Sequence, residues 1–132
     1  MGRLVSIAAL CLAAISACGQ NLRYQQDTAW RAPSEAASRD NPIASKPQFA
    51  AGGRKLFIRN CVECHGVHGE GIEEKHSADL RLQIVQQQSD GTLFWKITNG
   101  NARRGMPSFS KLPELQRWQI VLYLRTLKPA SE

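Results

Sequence analysis

The spacing of apolar positions along this chain changes repeatedly, and each change marks a different element. From Leu4 to Ile15 apolar residues are nearly continuous, behind the basic Arg3. Residues 19 to 49 sustain no apolar period; Gln, Ala, Ser, Asn, Asp and Arg dominate, with prolines at 33, 42 and 47. Gly53, Leu56, Phe57 and Asn60 then follow the i, i+3, i+4, i+7 rhythm of a helix that begins near Phe49 and runs into Cys61. Residues 66 to 79, with Gly66, Gly69 and Gly71 among scattered charges, read as a loop. A second helix fits Asp90 to Thr98, with Asp90 as its N-cap and Asn99-Gly100 as its stop. The last starts after Leu112, with Pro113 at its first position and Glu114 in its first turn. It carries Leu115, Trp118, Ile120, Leu122, Tyr123, Leu124 and Leu127 and ends at Lys128-Pro129. Strand signals are almost absent. The pattern predicts an all-α domain over 50–128, built from three to four helices.

The segments before it read differently. Arg3, the short apolar core and small residues make 1–17 a secretory signal, too short for a transmembrane helix of about 20 residues. Ile15-Ser16-Ala17-Cys18 resembles a bacterial lipobox, in which Cys18 becomes the lipidated first residue. The alternative is an ordinary signal cut nearby, leaving Cys18 a free thiol. Residues 18–49 are then expected as a flexible tether spanning about 30 Å on average. Trp30 is the residue in it that could dock onto something. No internal repeat is visible.

Two further cysteines carry the chemistry. Residues 61 to 65 read Cys-Val-Glu-Cys-His, the attachment signature of c-type haem. Thiols three positions apart on one helical turn can each bond to one vinyl group of a single porphyrin. The adjoining His65 is carried under the ring as the proximal iron ligand. A redox C-x-x-C needs a βαβ neighbourhood, and a structural zinc site needs a second closely spaced ligand pair; neither pattern is present. With Cys11 in the signal and Cys18 acylated, Cys61 and Cys64 alone remain, so no partners are left for a structural disulfide. A domain this small barely buries enough apolar surface to offset its chain entropy, and one covalently held haem c supplies the missing hydrophobic mass.

With Met1 lost in the signal, Met106 is the single mature methionine, within Gly105-Met106-Pro107. A thioether is a soft iron ligand that raises the reduction potential opposite histidine. Gly105 lets the backbone bend toward the ring and Pro107 stiffens the loop. Met106 as core filler, His76 or His68 as rival ligands, and an open sixth position remain alternatives.

From Gly52 to Leu127, about three-fifths of the chain, these residues resemble the small bacterial class I cytochromes c, mono-haem proteins. The match rests on Gly53-Arg54-Lys55-Leu56-Phe57 before Cys61-x-x-Cys64-His65, then Leu93-Phe94-Trp95, Met106-Pro107 and Tyr123-Leu124. The resemblance implies first and last helices crossing at near right angles, with Gly53, Phe57, Ile120 and Tyr123 at the crossing. Many members have a proline soon after the haem motif whose carbonyl takes the histidine Nδ1 proton. No proline lies between Pro47 and Pro107, so another carbonyl in 68–80 must do this.

The implied activity is one-electron transfer with both axial ligands retained, no catalysis, no small-molecule substrate and no nucleic acid. The main expectation is a free-standing lipoprotein carrier on the periplasmic side of the bacterial envelope. Gly19 after the lipid cysteine mildly favours the outer membrane. The alternative is a fixed cytochrome subunit of a membrane-associated oxidoreductase complex; a sensor with a displaceable sixth ligand is a third class. Net charge is +6, and in the family the ligand loops rim the exposed haem edge. Arg103 and Arg104 are therefore expected to dock redox protein partners of acidic character, with a merely solvated basic face as the alternative.

Overall fold

The computed structural model describes residues 24–127. The signal at 1–17 and Cys18 lie outside the described residues, and no described helix is long and apolar enough to cross a membrane. The helices are α1 (Ser34–Ala37), α2 (Ala50–Asn60), α3 (Val62–His65), α4 (Gln83–Gln86), α5 (Asp90–Asn99) and α6 (Glu114–Leu124). Short 3-10 turns at Pro47–Phe49, Glu73–Lys75 and Ala102–Arg104 fill out the connections. Among the described residues the only β-type pairing is an isolated antiparallel bridge between Asn101 and Met106. The domain is all-α.

The crossing of α2 with α6 sets the frame. A Cβ on Gly53 would stand 1.9 Å from the Gln119 carbonyl oxygen and 2.9 Å from Tyr123 Cβ, so only glycine lets the helices meet there. One turn on, the Phe57 and Tyr123 rings lie 5.2 Å apart and tilted, and Phe57, Ile120 and Val121 are fully buried. The crossing residues implied by the resemblance thus meet as expected. α5 closes the third side, where Phe94 stacks on Trp118 with centroids 3.9 Å apart. Arg125 staples the bottom by donating to Asp90 Oδ1 (2.7 Å) and the Gln86 carbonyl (2.6 Å).

Element ends differ slightly from the pattern. The N-cap of α5 is Ser89, whose hydroxyl accepts from Thr92 N at 3.1 Å, so Asp90 is the first helical residue. Pro113 occupies the N-cap of α6 rather than its first turn, and α6 stops at Leu124 before a turn.

The larger difference lies at residues 24–49, expected as a flexible tether. They pack along the domain. Asn41 donates to the Trp118 carbonyl at 3.2 Å, and Ile43 is buried. The α1 backbone abuts Gly91 so closely that a Cβ there would sit 2.2 Å from the Ala36 oxygen. Ser89 Oγ donates to the Ala37 carbonyl at 2.6 Å. Single anchors, not an apolar stripe, hold this segment, so periodicity alone does not reveal it.

Candidate cofactor site

A cavity of about 390 Å³ opens between the helices, in the size range of small-molecule and cofactor pockets. Phe57, Leu93, Ile97, Ile120 and Leu124 form its apolar walls, and Cys61, Cys64, His65 and Met106 line it together. The sequence-expected site residues therefore converge on one space.

The thiols sit where α2 breaks into α3. Cys61 N still donates to the Phe57 carbonyl (2.8 Å), and the Cys61 carbonyl in turn accepts from His65 N (2.8 Å). That turn puts both half-buried sulfurs and the imidazole on the cavity side, and the thiols form no disulfide. Burial, and secondarily Cys64, pushes the Cys61 thiol up to about 12. Among the described residues there is no group of three His, Cys, Asp or Glu that could hold a bare metal ion.

His65 Nδ1 lies 3.1 Å from the Ala78 carbonyl oxygen. A carbonyl only accepts, so Nδ1 carries the proton and Nε2 keeps its lone pair. Burial lowers the His65 pKa, and the Ala78 contact opposes that shift. Ala78 does the work of the absent proline, and the loop is built to present it. Gly71 N donates to the His65 carbonyl (2.8 Å), and Leu80 N donates to the Gly69 carbonyl (2.7 Å). Ser77 Oγ donates to the Cys64 carbonyl and accepts from Ile72 N. Gly71 is required twice over: its φ is +75°, and a Cβ would lie 2.7 Å from the Ser77 oxygen. Just beyond, the fully buried Asp79 carboxylate takes Arg81 Nε and Nη2, both at 2.9 Å, with Arg81 N on Oδ1 at 2.9 Å.

On the other side, Met106 N and O exchange hydrogen bonds with Asn101 O and N at 3.0 and 2.9 Å, closing residues 101–106 into a tight loop. Gly105 turns it with φ +81°. His76 also lines the cavity but is exposed and left-handed (φ 52°); His68 is exposed and lies off it.

Arg103 and Arg104, expected as a docking pair, are engaged within the chain. Arg103 Nη2 reaches Asp27 Oδ2 at 3.3 Å, and Arg104 Nη1 donates to the Gln25 carbonyl at 2.8 Å. Asn101 Nδ2 adds a bond to the same Asp27 oxygen at 3.0 Å. Trp30 docks as well, onto its own domain: Nε1 donates to the Gly100 carbonyl at 2.9 Å. Residues 25–30 thus strap the Met106 loop. Sequence reasoning missed this strap, the Asp79–Arg81 fork and Lys96. Asp79-x-Arg81 carried a signal, the short spacing of an Asx-type turn. Lys96, three positions after Leu93 and next to Ile97, stood on a helix face that is buried.

Apolar walls, paired thiols, an imidazole with its lone pair free and a thioether residue lining the same cavity fit one porphyrin bonded at both vinyl groups. The protein is a small bacterial mono-haem cytochrome c of class I, with covalently attached haem c. Residues 48–124 match the family described as cytochrome C oxidase, cbb3-type, subunit III, and the chain belongs to that family. It is 35% identical over 100 residues to the cbb3-type cytochrome c oxidase subunit FixP of Azorhizobium caulinodans, covering 74% of this chain and 31% of that one. The FixP of Bradyrhizobium sp. (strain ORS 278) is 44% identical over 54 residues, covering 40% of this chain and 19% of that one. The chain therefore spans less than a third of these curated relatives. No solved structure matches it.

Proposed function

We propose that this chain is the electron-transfer module of a membrane-associated oxidoreductase complex, working as a fixed cytochrome subunit on the periplasmic side. The observation that supports the module is the convergence of Cys61, Cys64, His65 and Met106 on one apolar cavity. Cys61 and Cys64 would hold the haem through thioether bonds, and His65 Nε2 and the Met106 sulfur would ligate its iron. When bound, haem supplies a one-electron ferric–ferrous couple. The chain's own residues hold it, exclude water with the α2, α5 and α6 walls, and keep His65 in one tautomer through Ala78. With His65 and Met106 both committed to the iron, the module would transform no substrate of its own.

Family membership supports the fixed-subunit reading over the free carrier, since the relatives are named as oxidase subunits. Ile15 to Cys18 favours a second reading, a carrier tethered by a lipid on Cys18. Capture of the chain from membranes in mild detergent separates them. Co-elution with catalytic oxidase subunits supports the first, and elution alone with acylated Cys18 supports the second. Met106→Ala tests the site: the native low-spin protein refuses carbon monoxide, while the variant binds it. A variant that keeps the native ferric spectrum would remove Met106 from the iron.

A further inference from the structure

A buried cation faces the cofactor cavity without a carboxylate of its own. Lys96 is 7% exposed and lines the cavity. Its ammonium donates to Gln88 Oε1 at 2.9 Å and lies 4.6 Å from the centre of the Trp30 ring. An ammonium has three donors, and a neutral amide with an aromatic face leaves both donor capacity and net charge unanswered. Among the described residues no carboxylate lies within ion-pair distance of it.

The acidic groups on the surrounding elements are committed elsewhere. Asp27, on the strap, acts on Lys96 through space but is held by Asn101 Nδ2 and Arg103. Asp90, on the same helix, is paired with Arg125 at 2.7 Å. Tyr24 and Arg104 line the same cavity, and Arg104 adds a second positive charge. A charge taken out of water is expensive unless paired, so this arrangement is incomplete without an anion.

We propose that Lys96 is the counter-charge for a carboxylate of the bound haem, in a cage whose other walls are Trp30 and Gln88. The ligand class is a propionate-type carboxylate, the sole anionic group that a porphyrin filling this cavity brings with it. Trp30 comes from the strap, so the strap helps build the carboxylate end of the site as well as bracing the Met106 loop. The inference rests on the haem reading above.

The test uses the holoprotein carrying haem labelled with carbon-13 at its propionate carboxyls, followed by infrared and NMR titration. In the wild type one carboxylate stays ionised through the ordinary carboxylate range. In Lys96→Met its proton affinity rises about tenfold or more, as expected when an opposite charge within 4–6 Å is removed. The reduction potential then falls with rising pH across the new titration, because the newly formed anion favours ferric iron. Lys96→Arg restores the wild-type titration. A haem-loaded Lys96→Met whose carboxylates titrate as in the wild type would overturn the inference and leave the haem reading intact. Absence of thioether-bound haem in the wild type would overturn both. If Lys96→Met does not assemble, the wild-type titration decides: both carboxylates in the ordinary range would overturn the pairing.

Discussion

Replacing Arg81 with Met should destabilise the holoprotein strongly and loosen the carbonyl that holds His65. Asp79 is completely buried, and the substitution removes the two side-chain donors that reach its oxygens at 2.9 Å, leaving the backbone N–H of residue 81. Methionine fills comparable space without charge, so the loss is electrostatic rather than a cavity. Breaking one side of a buried pair costs about 3–5 kcal/mol, a large share of the roughly 5–15 kcal/mol that stabilises a typical domain. Guanidinium unfolding of the haem-loaded protein, followed by the haem band, should show a lower midpoint with little change in slope. Asp79→Asn in the Arg81→Met background should recover part of the loss by removing the buried charge, and the double-mutant cycle isolates the pair. Because Ala78 directly precedes Asp79, the His65 Nδ1–H resonance of the ferrous protein should shift in Arg81→Met and move back in the double variant. A loss below about 1 kcal/mol, the scale of an exposed pair, with an unmoved His65 resonance would refute the reasoning.

Gly53→Ala should lose at least about 1–3 kcal/mol, because its Cβ meets the Gln119 backbone rather than a side-chain tip that can swing away; a thermal midpoint equal to wild type would contradict this. Cys61→Ser and Cys64→Ser should each leave a single thioether and a less stable holoprotein, seen as a lower denaturant midpoint of the haem band, whereas replacing both should leave the denatured chain's band on a gel without haem. Asp27 is held below its ordinary 3.8, first by the Asn101 hydrogen bond and then, against the opposing effect of burial, by Ala29 N and the two arginines. Its contribution is therefore complete above the unfolded value and fades as pH falls through the lower folded value. Hydrogen exchange at Asn101 and Met106 should accelerate over that acid window in the wild type, whereas in Asp27→Asn this pH dependence should vanish. Arg103→Glu with Arg104→Glu should release the strap, raising proteolysis near residue 25, and slow electron transfer to an acidic partner at low salt. Unchanged proteolysis would deny the strap its guanidinium anchors.

The legible parts of this molecule are those that repeat or carry reactive atoms. Heptad-like spacing announces α2, α5 and α6 because one face of each is buried over several turns. The haem motif is legible because two covalent bonds and a ligand need fixed spacing. Ala78 was bounded by the sequence, to a carbonyl within 68–80, but not named, since any backbone oxygen serves equally and folding of the loop selects one. Residues 24–49 have the sequence pattern of a tether because isolated contacts hold them: one amide on a carbonyl, one indole on another, one buried isoleucine. None of these has a period. Arg103 and Arg104 illustrate a related limit: a basic run marks charge, and whether that charge meets a partner or the chain's own Asp27 depends on tertiary structure.

That intramolecular use of charge alters what counts as the domain. The family match begins at residue 48, yet Asn41 and Ile43 are as buried as much of the core, and the strap at 25–30 reaches the loop that carries Met106. The Met106 loop is short and closed on itself by Asn101, whose side chain is tied to Asp27. A segment outside the matched region therefore bears on the orientation of the proposed sulfur ligand. It also adds Tyr24 and Trp30 to the cavity lining, with Trp30 beside Lys96. Contact at the exposed face of Arg103, which is 74% open, would reach Met106 through Asp27 and Asn101. Arg103 on the surface is thus joined to the Met106 loop through Asp27 and Asn101.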